Sequence, residues 1–323
     1  MLNCFVPGTQ GLDRLDPPPE DIPDRCVWVD LLEPTLAEER AVERLLAIDV
    51  PSREEMREIE TSNRLYEENG TLYMTATVVT KIDTDRPESA AVTFILTHNR
   101  LITNRYVDPL PFRRFVAYAE RHPQAATTAP GILAGLLESV IERTADVLER
   151  VGLGLDDLSA SVFAPAKKGG TRARDLRGVM ERIGRDGDLT SKARESLVTL
   201  ARQLTFIQQS TAVQIPNELR SRYRSMSRDV LALSDHASFV ANKSSFMLQA
   251  TLGLINIEQN NIIKIFSVAA AVFLPPTLIA SIYGMNFRVM PELDWLYGYP
   301  LALLIILVSA VLPYFFFRRR GWL

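Results

Sequence analysis

Between Lys264 and Arg288 the chain carries no acidic or basic residue, and between Asp294 and Arg318 it again carries none. Each gap holds roughly 23 residues, which as helix extend about 34 Å and cross a hydrocarbon core of about 30 Å with some tilt. The sequence therefore predicts two membrane helices, over about 263–285 and about 297–317, joined by a short outer loop over 286–296. Arg318, Arg319 and Arg320 follow the second one at once. A basic cluster at a membrane boundary favours the cytoplasmic side, and a helical hairpin returns the chain to the side it left. The long segment before the hairpin is accordingly expected in the cytoplasm, as are both termini.

A chain of 323 residues in which 47% are apolar has material for a soluble core as well as two spans. Its formal net charge of −3 argues against a broad basic surface for nucleic acid. Cys4 and Cys26 lack the paired spacing of a zinc site and read as small buried side chains, kept reduced by a cytoplasmic location. His98, His122 and His236 are scattered, without catalytic-metal spacing. Met1 to Pro7 has no basic start and too short an apolar run for a signal peptide. Neither a Gly-rich phosphate loop nor a G-x-S-x-G elbow occurs, so no nucleotide is expected and an enzyme has the least support.

Residues 1–108 mix short strand-like runs with helices, which predicts an α/β domain. Strands are expected at Cys26 to Val29 and Leu72 to Val79, and a hairpin at Ala91 to Thr103 turning at His98-Asn99-Arg100. Leu36 to Ile48 and Ser52 to Ile59 have helical spacing, the latter opened by a Ser52/Glu55 capping box. Residues 109–258 read as helices: Pro111 to Arg121, Gly131 to about Phe163, and Thr171 to about Gln214. Leu133, Leu136, Leu137, Val140, Ile141, Val147, Leu148 and Val151 lay an apolar packing stripe along the second of these. Breaks are expected at Pro165 to Gly170, at Gly184 to Gly187, and at Pro216, which suits the first turn of a new helix. From Asn217 no convincing breaker precedes Pro275-Pro276, and Gly253 alone does not end a helix. One helix from Asn217 to about Met285 would run roughly 100 Å.

Tyr283-Gly284-Met285-Asn286-Phe287 closes the first span, and Met290-Pro291-Glu292-Leu293 follows in the loop. With Ile255 to Asn260 upstream, Tyr299-Pro300 before the second span and a basic tail ending in Trp322-Leu323, these residues resemble the CorA family of divalent-cation transporters. The resemblance covers most of the chain. It implies an α+β membrane protein: a mixed α/β cytoplasmic domain, a long helical stalk and two transmembrane helices in residues 259–323, assembled as a funnel-shaped homopentamer whose stalk helices line the pore.

Asn260, Ile263, Ser267, Ala270, Leu274, Thr277 and Ser281 step by three or four and share one helical face. The resemblance makes this face the pore. It also makes Ile263, Phe266, Ala270 and Leu274 a hydrophobic constriction, of the kind that gates by dewetting. Mg²⁺ dehydrates reluctantly, so neutral acceptors around an intact hydration shell can select it. By resemblance, a ring of Asn286 side chains with the Gly284 carbonyl does this. Tyr283 and Phe287 are expected to buttress the loop at the interface, and Met285 to pack rather than coordinate. Glu292 and Asp294 would concentrate cations at the entrance. In the family, cytoplasmic Mg²⁺ bound between subunits holds the pore closed; the acidic candidates here are Glu67, Glu68, Asp83, Asp85, Asp229 and Asp235.

The expected function is Mg²⁺ influx across a bacterial inner membrane, with Co²⁺ and Ni²⁺ as further cargo, driven by membrane potential and gated by cytoplasmic Mg²⁺. One alternative is the zinc-transporting branch of the same superfamily, which usually departs from the Met-Asn and Met-Pro-Glu-Leu pattern kept here. Another is a membrane-anchored sensor that conducts nothing. It would explain the hairpin but not the polar face.

Overall fold

The computed structural model describes residues 1–15, 22–84, 86–122, 127–163, 175–286, 290–291 and 294–322. Among them, β1 (Leu2–Pro7), β2 (Leu12–Leu15), β3 (Trp28–Leu32), β4 (Leu65–Glu68), β5 (Thr71–Thr80), β6 (Glu88–Leu96) and β7 (Leu101–Arg105) form one sheet, ordered β2-β1-β3-β7-β6-β5-β4. The central pair β3/β7 is parallel and every other pair antiparallel. The helices are α1 (Leu36–Leu46), α2 (Thr61–Arg64), α3 (Leu110–Ala119), α4 (Ala129–Phe163), α5 (Leu176–Gln209), α6 (Asn217–Tyr283) and α7 (Gly298–Arg319). Contacts divide the chain into two compact units, Met1–Leu248 and Gln249–Leu323.

Strand alternation sends side chains to both faces of the sheet, and both faces are packed here. Cys4, Val6, Val29, Leu31, Tyr73, Ile95 and Ile102 join Val42 of α1 in one core cluster. On the other face Phe5 stacks on Trp28 at 4.4 Å, Trp28 meets Phe115 of α3 edge-on at 5.9 Å, and Phe94 lies 6.1 Å from Phe112. Both cysteines are free and buried within the first cluster, as expected of small apolar side chains. All eight members of the α4 stripe are buried too.

At the parallel centre a charge pair is sealed in. Arg105 donates from Nε and a terminal nitrogen to the two oxygens of Asp30, each at 2.9 Å, and both side chains are under a tenth exposed. Thr103 donates to the same carboxylate at 2.7 Å, Asn3 donates at 3.3 Å, and the Arg105 guanidinium lies 4.8 Å from the Phe112 ring. A buried carboxylate is tolerated only with this degree of pairing.

Several sequence expectations are corrected. Ser52 to Ile59 is not a helix. The capping box forms, with Ser52 N–H to Glu55 at 2.8 Å and Glu55 N–H to Ser52 Oγ at 3.4 Å, but only the 3₁₀ turn Glu55–Arg57 follows. Met56 is the only residue of that turn to be buried, so a longer helix would have no apolar stripe to pack. Nor does the chain break at Gly184 to Gly187, since α5 runs straight through. Each glycine costs about 1 kcal/mol against alanine, while Ile183, Leu189, Ala193 and Leu197 are buried on either side. Gly187 has a packing reason as well: a Cβ there would stand 3.3 Å from Ser244 Oγ of α6. The strand expected at Cys26 to Val29 begins at Trp28 and runs to Leu32. Pro216 precedes α6 and accepts the Arg220 N–H at 3.0 Å. The break expected at Pro165 to Gly170 lies outside the described residues.

Strands β1, β2 and β4 were not expected. For β4 a signal existed: Asn69 (φ 49°) and Gly70 (φ 75°) form the two-residue turn into β5, and Asn-Gly is the preferred pair for a hairpin turn with both φ positive.

Replacing Asp30 by Ala leaves Arg105 charged and buried, and should destabilise the fold by about 3–5 kcal/mol. The double change Asp30→Leu with Arg105→Met should cost far less. Urea unfolding of the detergent-solubilised protein, followed by tryptophan fluorescence, checks both; equal losses would mean that the pair is not electrostatically closed.

Candidate functional site

Helix α6 spans 67 residues as one element, and both Gly253 and the Pro275-Pro276 pair lie inside it. The two prolines remove the N–H donors that the carbonyls of Ala271 and Val272 would otherwise receive. Directly after them the Thr277 hydroxyl donates to the Phe273 carbonyl at 2.7 Å, so this threonine does bond back onto its own helix. Its oxygen lone pairs remain available as acceptors.

The candidate pathway residues share one side of α6 and are exposed in the single chain. Ile263 is 61% exposed, Phe266 70% and Leu274 66%; Asn260, Ser267, Ala270, Thr277 and Ser281 are exposed as well. Helix α6 ends at Tyr283, and the turn after it is closed by Gly284 N–H to the Ala280 carbonyl at 3.0 Å and Met285 N–H to the Ile282 carbonyl at 3.2 Å. Gly284 is not left-handed here; its role is one of space, since a Cβ would stand 3.3 Å from the Ala280 carbonyl. Asn286 follows this turn with its side chain exposed. Met290 is half-buried and Pro291 exposed, and in the loop Trp295 meets Tyr297 edge-on at 6.2 Å. Phe287, Glu292 and Leu293 lie outside the described residues.

The acidic candidates are dispersed within one chain. Glu67 accepts a hydrogen bond from Ser210 at 3.0 Å, and Glu68 sits exposed at the end of β4. Asp83 is held by Arg150 at 2.7 Å and Arg143 at 3.1 Å. The Arg150 hydrogen bond, aided by both guanidinium charges, keeps its carboxyl below the usual carboxylate range. Asp229 and Asp235 are exposed on α6, and neither carries an ion pair among the described residues. Asp85 lies outside them. No group of three or more His, Cys, Asp or Glu side chains among the described residues could hold a metal within one chain.

Both C-terminal helices are apolar and long enough to cross a membrane, and almost none of that surface is buried in the chain itself. The sequence profile of the family described as CorA-like Mg²⁺ transporter protein matches residues 23–319. The chain belongs to the CorA family. It is 36% identical to the magnesium transport protein CorA of Haemophilus ducreyi over 324 residues, covering 100% of both chains. The complete CorA magnesium transporter from Methanocaldococcus jannaschii shares its fold, with a TM-score of 0.76 at 20% identity over 100% of this chain and 99% of that one. The cytoplasmic domain of ZntB from Vibrio parahaemolyticus matches 79% of this chain and 97% of its own, with a TM-score of 0.57 at 9% identity, which is a likeness of fold alone. As a CorA protein this is a membrane protein with two membrane helices, from a family of ion transporters and not of enzymes.

Because Asp83 and Arg150 are both more than half exposed, solvent screens their pair. Asp83→Ala and Arg150→Ala should couple by no more than about 1 kcal/mol in a double-mutant cycle, less in high salt. Thermal melts of the four proteins measure it, and a salt-independent coupling would contradict a solvent-screened ion pair.

Proposed function

We propose that this CorA protein is a Mg²⁺ channel or transporter that passes hydrated Mg²⁺ inward through a homopentamer, with Co²⁺ and Ni²⁺ as further cargo. Support comes from one observation above the others: a single helix carries an uncharged, outward-facing row of small polar and apolar residues and ends at Gly284-Met285-Asn286. Within a membrane an apolar row needs no protein partner, so support for assembly comes from the part of the helix that precedes the span. The same helix also exposes Leu231, Phe239 and Phe246, each more than 60% exposed and stepping by eight and seven residues. Steps of this length favour self-association of helices. Five copies would turn the row inward.

In such an assembly Asn286 amides and Gly284 carbonyls contact the ion through its water shell, because Mg²⁺ rarely gives up its waters to protein ligands. Thr277 and Ser281 continue the polar path, and Leu274, Ala270, Phe266 and Ile263 narrow it into a stretch that closes by dewetting. Inward movement draws on the membrane potential, about 4.6 kcal/mol per 100 mV for a divalent ion. We place the protein in the inner membrane with both termini cytoplasmic. Glu67, Glu68, Asp83, Asp85, Asp229 and Asp235 remain the acidic set for closure by cytoplasmic Mg²⁺. Within one chain Asp83 is already taken up by two arginines, so the proposal leans on Asp229 and Asp235.

In liposomes under an inside-negative potential, Mg²⁺ uptake should be at least about tenfold slower for Asn286→Ala than for the native protein, a loss of about 1.4 kcal/mol. Equal rates would remove Asn286 from the filter, and Zn²⁺ uptake without Mg²⁺ uptake would favour the zinc-transporting branch. Asp229→Asn with Asp235→Asn should raise the internal Mg²⁺ needed for closure. An unchanged closing concentration would sink that assignment.

A further inference from the structure

The C-terminal turn of α7 is built more elaborately than a topology signal needs. Arg318 and Arg319 occupy its last turn and Arg320 caps it. Gly321 then adopts φ 70°, its N–H reaching the Arg318 carbonyl at 3.2 Å, while the Trp322 N–H reaches the Phe317 carbonyl at 3.1 Å. This is the paired bonding of a glycine-terminated helix, in which the residue after the glycine folds back on the last turn. Here Trp322 does so, its ring 5.2 Å from that of Phe317, and the Arg320 guanidinium lies 5.2 Å from the Phe316 ring centre. All three arginines are exposed, none forms an ion pair among the described residues, and no aspartate or glutamate follows Asp294 in the sequence. The result is a surface with an apolar aromatic side and a cationic side, located where an apolar helix of membrane length stops.

We propose that this turn is a binding site for the headgroup of an acidic phospholipid in the adjoining leaflet. Arginine presents a planar fork that matches phosphate oxygens two at a time. An indole beside an apolar helix end prefers the headgroup level of the bilayer, so the site holds its cations at phosphate depth. A basic residue close to an acidic membrane surface contributes about 1 kcal/mol of attraction. A free phosphate ion would satisfy the arginines but would leave Trp322 and Phe316 without apolar surroundings, which is why a lipid is the better occupant. The inference rests on the membrane hairpin and not on ion conduction, so a protein that binds acidic lipid yet passes no Mg²⁺ leaves it standing.

The test uses the full chain with Trp295→Phe, reconstituted in phosphatidylcholine vesicles. Brominated phosphatidylglycerol, or brominated phosphatidylcholine as the control, replaces part of the lipid. Bromine on the acyl chains quenches Trp322 on contact, whereas Trp28 is sealed in the sheet core of the other unit. Only protein whose N-terminal unit is open to external protease is scored, which fixes the orientation. Half-maximal quenching is expected at a mole fraction about tenfold lower for the acidic lipid than for the neutral one. The preference should vanish in Arg318→Gln/Arg319→Gln/Arg320→Gln. It should persist at about threefold in the corresponding triple lysine variant, which keeps the charge and hence the insertion but loses the planar fork. Equal quenching by the two lipids in the native protein overturns the proposal. So does a full preference in the glutamine variant, and loss of the preference on adding inorganic phosphate would reassign the site to a free anion.

Discussion

In hydrocarbon a backbone N–H or C=O that finds no partner within its own segment costs several kcal/mol, and this constraint governs the architecture of the chain. It makes the uncharged run after Lys264 helical regardless of side-chain preference, and it lets two consecutive prolines sit inside α6 without ending it. It also defines where an ion can meet polar protein. Polar backbone becomes available only once the helix stops, and α6 stops at Tyr283, immediately before Gly284-Met285-Asn286. The helix end and the candidate filter are one feature seen from two sides.

Charge is managed in opposite ways in the two units. In Met1–Leu248 a carboxylate and a guanidinium are buried together at the parallel centre of the sheet, where Thr103, Asn3 and Asp108 complete their hydrogen bonding. In Gln249–Leu323 charge is confined to the ends of the apolar stretches, so under the proposed function contact with a cation would fall to neutral amide, hydroxyl and carbonyl groups. This suits a metal that keeps its water shell, because hydrogen-bond acceptors at the right distance recognise coordinated water without competing for the ion.

Much of this was legible from local patterns. The membrane spans, the unbroken α6, the apolar stripe of α4 and the hairpin around His98-Asn99-Arg100 all follow from periodicity and from where breakers are missing. The failures have local causes too. Ser52 and Glu55 form their capping box, yet no helix grows from it, because a cap lowers the cost of starting a helix but supplies no packing to sustain one. Gly184 and Gly187 look like a break, and yet α5 passes them because buried neighbours on both sides hold it and one glycine accommodates Ser244. Asn69-Gly70 marked the turn into β5, and was passed over because the short strand before it has little apolar content of its own.

The sequence by itself determined which segments enter lipid, where the stalk helix starts and stops, and which side chains share its uncharged face, since helix period and transfer free energy depend only on residue order. Tertiary structure alone decided that Asp30 and Arg105 meet, 75 positions apart in the sequence, and that Asp83 is claimed by Arg143 and Arg150 while Asp229 and Asp235 are not paired in this way. Long-range pairing of this kind depends on sheet order and on which helices cover which face, and no local pattern encodes either. The proposed last step, closing the exposed row of α6 around an ion, lies a level further on, because the partners of those side chains would be the same residues in other copies of the chain.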